Sequence, residues 1–252
     1  MKSTTLQIAA LVIAILIVHL AYVGYIWPIS NQAMQLAAES GSAVPRTFEI
    51  ILKDLEQEVC IILFLWTLFL ILSKMGLIMK SRYLFKVDFL EDVAANLIQV
   101  DKVLENLQGL DESDKKKPLI EIMTTGLRRF KTTKNIQNTS ESIDSSLDAL
   151  SSKQDAENSM IRYLIWAIPS IGFIGTVRGI GEALAKADQA VQGDITGMTN
   201  SLGIAFNSTF VALIISIILM FFLHQLQQLQ DGEVLEIREY CETKLLLRIS
   251  KT

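Results

Sequence analysis

The chain has 252 residues, half of them apolar and only 20% charged, with a formal net charge of -4. A mean hydropathy of +0.37 excludes an ordinary soluble domain and a disordered chain, and the charge balance leaves no footprint for nucleic acid. Two cysteines, Cys60 and Cys241, exclude a disulfide framework, and four prolines exclude Pro-rich and collagen-like chains.

Residues 6–27 form the first apolar run. As a helix it covers about 33 Å, enough for a bilayer core of roughly 30 Å. Tyr25 and Trp27 supply an interfacial aromatic end, and Pro28 is expected to stop the helix. No small-residue cleavage site follows, so the segment reads as an anchor rather than a signal peptide. Residues 28–58 make a short outer loop, with a surface helix expected over 46–58. They are too few for a sensor domain. The second span covers 59–72 and continues to 79, with Lys74 snorkelling.

The section 80–160 reads as helical. Leu90, Val93, Leu97, Val100, Leu104 and Leu107 form a coiled-coil-like stripe. The run Asp111–Pro118 breaks it with a turn, and Ile136, Ile143, Leu147 and Leu150 form a second, weaker stripe leading into span three. The basic residues 115–117, with Arg128, Arg129, Lys131 and Lys134, fit a solvated face near anionic lipid, or a docking surface for a cytoplasmic effector or rotor.

Span three covers 161–184 and span four 200–224, joined by a short connection containing Asp188 and Asp194. Lys74, Lys80, Arg82 and Lys86 follow span two, and Arg238, Lys244, Arg248 and Lys251 lie in the tail, whereas the outer loops carry Arg46, Lys53 and Lys186. By the positive-inside rule both termini and the 80–160 section are cytoplasmic, and Cys60 and Cys241 fall on opposite sides. The fold class is therefore all-α: a polytopic membrane protein with four transmembrane helices and a helical cytoplasmic section, in a homo-oligomer. Its parts are a first hairpin over 1–79, the section 80–160, the paired spans over 161–224, and a C-terminal helix over 225–252.

No metal cluster, nucleophile motif or phosphate loop is present, so an enzyme and a bound cofactor are not expected. His19 lies in the outer half of span one and His224 at the cytoplasmic rim. Each is either a functional intramembrane group or a neutral packing residue. In span three, Gly172, Gly175 and Gly179 let helix backbones approach closely, and Pro169 frees a carbonyl and permits a kink. Span four carries Asn200, Ser201, Asn207, Ser208, Thr209 and Ser216, which a lipid-facing anchor does not need. Arg178 precedes Glu182 by one helical turn. The two can pair, with Arg178 either snorkelling or forming a positive ring that contacts a partner.

The sequence Pro169-Ser-Ile-Gly-Phe-Ile-Gly-Thr176-Val-Arg-Gly, followed after a short loop by Ser201-Leu-Gly-Ile-Ala-Phe-Asn-Ser-Thr209, resembles the MotA/TolQ/ExbB proton-channel family. The likeness covers about 166–224. It implies an inner-membrane homopentamer around a dimer of a single-span partner, whose aspartate binds the ion. Ion flow then turns one assembly within the other. It also implies that Thr176 and Thr209 are pore-facing hydroxyls; beside them, from the residues alone, Ser208 and Asn207 are expected as further oxygens of an ion path. Four spans are similar to the flagellar stator type. Ile204 stands where Ton/Tol relatives have Glu, Arg178 where they usually have Trp, and no Pro follows the span-four Thr. The driven process is therefore left open.

No Asp or Glu stands in the middle of any of the four spans, so if ions cross, the expectation is that another chain supplies the carboxylate. The transported ion is expected to be a proton, with sodium as the alternative that the Ser208 oxygen permits. A competing reading is a non-conducting membrane scaffold or signal transducer with a cytoplasmic coiled coil.

Overall fold

The computed structural model describes residues 2–40, 42, 44–89, 97–193 and 195–250. Leu90, Val93, Asp194, Lys251 and the side chain of Leu97 lie outside the described residues. All regular structure among the described residues is helical: α1 (Lys2–Ala21), α2 (Trp27–Glu39), α3 (Phe48–Ile51), α4 (Leu55–Ser81), α5 (Leu97–Gln108), α6 (Glu112–Lys115), α7 (Pro118–Thr133), α8 (Ile136–Leu184), α9 (Ala187–Val191), α10 (Thr196–Tyr240) and α11 (Leu247–Ser250). Four stretches are long and apolar enough to cross a membrane: Thr5–Ala37, Leu55–Lys86, Ile136–Leu184 and Thr196–Ile249. The chain divides into two compact units, one from residues 1–72 and 160–224, the other from 73–159 and 225–252.

Pro28 does not end the first helix. A π-helical turn over Tyr22–Ile26 joins α1 to α2, and the Trp27 N–H bonds back to the Tyr22 carbonyl. Widening the helix just before the proline makes room for its ring, which would otherwise meet the carbonyl four residues back. The surface helix expected over 46–58 and running into span two is split in two: the single turn α3, and the start of α4, which continues into the span. Helix α4 then starts at Leu55, where the Gln57 side chain accepts the Asp54 N–H at 2.8 Å, one half of a capping box.

In the first unit, α1 packs on α4. Trp66 Nε1 donates to the Gln7 carbonyl (3.1 Å), and Trp27 Nε1 donates to the Lys53 carbonyl (3.0 Å). Buried Val18, Tyr22, Ile26 and Leu52 fill this contact. Wide apolar surfaces remain open on the other sides: Phe173 and Val177 on α8, and Phe206, Phe210 and Ile217 on α10, are exposed. This outside-apolar pattern is that of a multi-pass membrane protein.

The second unit has its own core. Val100, Val103, Leu104 and Leu107 from α5 meet Leu119, Ile120, Met123 and Leu127 from α7, together with Ile143 and Leu147 from α8, Ile237 from α10, and Leu245 and Ile249 from the tail. The two stripes read from the sequence thus pack within one chain, as far as they are described, apart from Ile136, which is exposed. The sequence reading passed over α7, although Pro118 at its first position and the spacing of its apolar residues mark a helix. That helix ends at Lys134, held in the left-handed conformation at φ 48°. Arg128, Arg129, Lys131 and Lys134 line its exposed side. The Ser-rich stripe and span three are one continuous helix, α8, of 49 residues.

Candidate functional site: the paired third and fourth spans

The three glycines of span three face span four of the same chain. A Cβ on Gly172 would land on the Cβ of Ala212, and one on Gly175 would lie 2.6 Å from Ser208 Oγ. One on Gly179 would lie 2.5 Å from Ala205 Cβ. Glycine alone lets α8 and α10 approach this closely, so the small-residue face is filled inside the chain.

Close approach brings hydroxyls of one span to backbone carbonyls of the other. Thr176 and Thr209 meet with their Oγ1 atoms 2.6 Å apart. Thr209 donates to the Gly172 carbonyl at 3.0 Å, and Thr176 reaches the Ala205 carbonyl at 3.1 Å. Thr176 is buried and Thr209 half-buried. Lower on the same pair, Ser216 Oγ donates to the Ile165 carbonyl at 3.3 Å. Ile165 is four residues before Pro169, so its carbonyl has lost its intrahelical N–H partner. Ser216 supplies the replacement, which is how a proline is accommodated inside a span. The Cys60 thiol, from α4, lies 3.7 Å from the adjacent Ile168 carbonyl.

Ser208 and Asn207 stand differently. Ser208 is buried, accepts from Gln57 Nε2 at 3.3 Å, and presses on Gly175. Asn207 is half-buried and lies about 100° around α10 from Ser208, on another face. The four oxygens therefore do not converge: only Thr176 and Thr209 do.

Arg178 is engaged within the chain. Its Nε and Nη2 donate to the two Glu56 oxygens at 2.8 and 2.9 Å, and its Nη1 donates to Glu182 at 2.8 Å. Asp54 lies 3.6 Å away. A cavity of about 450 Å³ opens beside this cluster, lined among others by Lys53, Asp54, Arg178, Lys186 and Asn200. Lys186 donates to Ser201 Oγ across the span-three to span-four connection at 2.8 Å. The sequence reading missed Glu56, Gln57 and Glu58 by leaving them in the loop. The signal was present in Asp54-Leu-Glu-Gln57, a helix-start pattern preceding an apolar run.

The histidines separate too. His19 Nδ1 lies 2.8 Å from Glu58 Oε1, while His224 is exposed at the end of the apolar part of α10. Both cysteines are buried and free. Among the described residues, no group of three or more His, Cys, Asp or Glu side chains could hold a metal.

In comparison with known families, the profile of the MotA/TolQ/ExbB proton channel family matches residues 114–239. That range holds α7, the whole of span three, the threonine pair and all of span four. Comparison with curated proteins and with solved structures returns no match. Half the chain, including every residue of the Gly–Thr interface between spans three and four, fits that profile, and the protein belongs to the MotA/TolQ/ExbB proton channel family.

Proposed function

We propose that this protein is the channel subunit of an ion-driven motor in the bacterial inner membrane, with both termini in the cytoplasm. Five copies surround a dimer of a single-span partner. The partner's aspartate carries the ion, a proton, past the threonine pair, and ion flow turns one assembly within the other. The observation that carries this reading is the 2.6 Å contact of Thr176 with Thr209. Two hydroxyls joined inside a pair of spans can orient water or a proton-bearing carboxyl, yet they cannot store a proton near neutral pH. The exposed apolar faces of α8 and α10 suit lipid and neighbouring copies. The helical second unit, with its exposed basic side on α7, suits transmission of the motion to a cytoplasmic effector or rotor.

The test is co-reconstitution with a single-span membrane protein that carries an aspartate in its span, sought first in the neighbouring reading frame. Ion flux should require both proteins and vanish when the partner's span aspartate becomes asparagine. A complex that assembles with that partner and conducts nothing supports the non-conducting scaffold instead.

A further inference from the structure

The structure places a titratable pair of the chain's own inside the first two spans, where the sequence suggested none. Glu58 is 4% exposed. Its Oε1 meets His19 Nδ1 at 2.8 Å. Its Oε2 is buried without a hydrogen-bond partner, and so is the hydroxyl of Tyr22, itself 1% exposed. The Trp27 ring packs edge-on against both His19 and Tyr22, with centroids 5.9 and 6.1 Å apart. A buried carboxylate with an unsatisfied oxygen is costly unless a proton or a counter-charge accompanies it. Of the nearby cations, Lys53 pairs with Asp54, and Arg178 pairs with Glu56. The Cys60 thiol on the same helix is engaged with the Ile168 carbonyl. From α10, uncharged Ser208 reaches Gln57, the neighbour of Glu58. Of the described contacts to Glu58, His19 provides the one group that can become a cation.

We propose that His19, Tyr22 and Glu58 form a proton-binding site between spans one and two, separate from the threonine pair. Without the proton the pair is neutral imidazole and carboxylate, with net charge -1. Before uptake Nδ1–H donates to Oε1; taking up one proton from water at Nε2 makes the pair neutral overall, and the proton between Nδ1 and Glu58 Oε1 can then sit on either atom without further change of charge. The imidazole is the entry point, since its side chain is 55% exposed while the carboxylate is enclosed. The Tyr22 hydroxyl, buried without a partner and packed on the same Trp27 ring as His19, is the donor that one water would link to Oε2. Glu58 adjoins Gln57, whose amide holds Ser208 over Gly175, so the site is one residue from the contacts that set the span-three to span-four packing.

The experiment is pH-difference infrared spectroscopy of the purified full chain in lipid vesicles, which needs neither the partner nor ion flux. It therefore stands or falls separately from the motor reading. The expected spectrum contains a protonated-carboxyl band and imidazole bands that respond over the same pH range. The carboxyl band is lost in Glu58→Gln, its pH response changes in His19→Gln, and its frequency moves in Tyr22→Phe. A wild-type spectrum that Glu58→Gln leaves unchanged overturns the proposal. So does a Glu58 band indifferent to His19→Gln. If either variant fails to fold, ¹⁵N-histidine labelling of a His224→Gln chain decides: the label must shift an imidazole band that titrates together with a carboxyl band, and its failure to do so overturns the site.

Discussion

Arg178 of span three grips Glu56 of span two with two near-parallel hydrogen bonds, at 2.8 and 2.9 Å. The planar guanidinium fits a carboxylate in this fork, which a lysine cannot reproduce. With Glu182 at 2.8 Å and Asp54 at 3.6 Å, the cation is surrounded by three carboxylates of its own chain. The expected Arg178–Glu182 pair is present, and the Arg178 side chain still keeps about half of its surface exposed. The pair ties α8 to the start of α4, while Gln57 ties the same turn to Ser208 on α10.

Arg178 is about half exposed, so solvent screening limits the pair's worth to about 1 kcal/mol. Arg178→Ala and Glu56→Gln should each lower thermal stability in detergent by that order, and Arg178→Lys should recover only part of it. The double variant should lose clearly less than the sum of the two, because each single change removes the same contact. Strict additivity would show that the two side chains act independently.

Spans three and four were readable because their motif is compact and its chemistry local. Pro169, the glycines and the threonines lie within a few helical turns, and small or hydroxylated residues in a span have few other uses. The contacts made by α4 were less legible. Glu56, Gln57 and Glu58 are charged or polar, so hydropathy put them in the loop, although each is buried or half-buried by a specific partner: Arg178, Ser208 and His19. Such pairings join positions up to 151 residues apart, and no periodicity reports them. Pro28 misled for a different reason: a π-turn relieves a proline without ending the helix, and nothing in the local sequence shows it.

The Ser216 hydroxyl and Pro169 should be energetically coupled. Ser216→Ala leaves the Ile165 carbonyl with neither an intrahelical nor an interhelical donor, at a cost of about 1 kcal/mol on the scale of hydrogen bonds between spans. Pro169→Ala restores the N–H that Ile165 lacks, so Ser216→Ala in that background should be close to neutral. Thermal unfolding of the four proteins of this cycle measures the coupling. Equal losses in both backgrounds would show that the serine bond contributes nothing to satisfying that carbonyl.

Glycine positions should divide sharply by their surroundings. Gly172→Ala drives a methyl into Ala212 and the Ser208 carbonyl, an overpacking worth about 1–3 kcal/mol. Ala212→Gly in the same chain should restore part of the loss. Gly76→Ala meets nothing within 4 Å and should be silent or slightly stabilising. Thermal stability and the oligomer seen by native mass spectrometry are the readouts. Because these contacts lie within one chain, Gly172→Ala should lower stability before it changes the number of subunits.

In the second unit, burial pushes the Glu233 carboxyl above the usual carboxylate range, although Ser81 and Gln154 hydrogen-bond to it. A raised carboxyl binds its proton more tightly in the folded chain than in the unfolded one. Stability is therefore highest below the ordinary carboxylate value and falls as pH rises from there to the elevated folded value, after which it levels. Glu233→Gln keeps a neutral, hydrogen-bonding side chain of the same shape. It should flatten that part of the pH–stability curve and stabilise the protein at neutral pH. A curve with the same slope in the variant would place the pH dependence elsewhere.

The choice of ion follows from which oxygens actually converge. A sodium ion needs several ligands to replace its water shell, usually carbonyl or side-chain oxygens pointing at one spot. Thr176 and Thr209 meet, with their hydroxyls reaching the Gly172 and Ala205 carbonyls, and offer only two side-chain oxygens at one spot. Ser208 is turned to Gln57 and Gly175, and Asn207 lies on another face of α10. A proton asks for less, since two linked hydroxyls and water suffice to orient its transfer to a carboxyl from the partner. Flux through the reconstituted complex should therefore be driven by a proton gradient in sodium-free buffer. Ser208→Ala should leave the ion dependence unchanged and at most loosen the packing on Gly175. Thr176→Val and Thr209→Val keep the side-chain volume and remove the hydroxyls, so each should abolish most of the flux while the complex still assembles. Flux that requires sodium and fails in Ser208→Ala would move Ser208 into the ion path. Normal flux in both valine variants would reduce the threonine pair to a clasp between two helices.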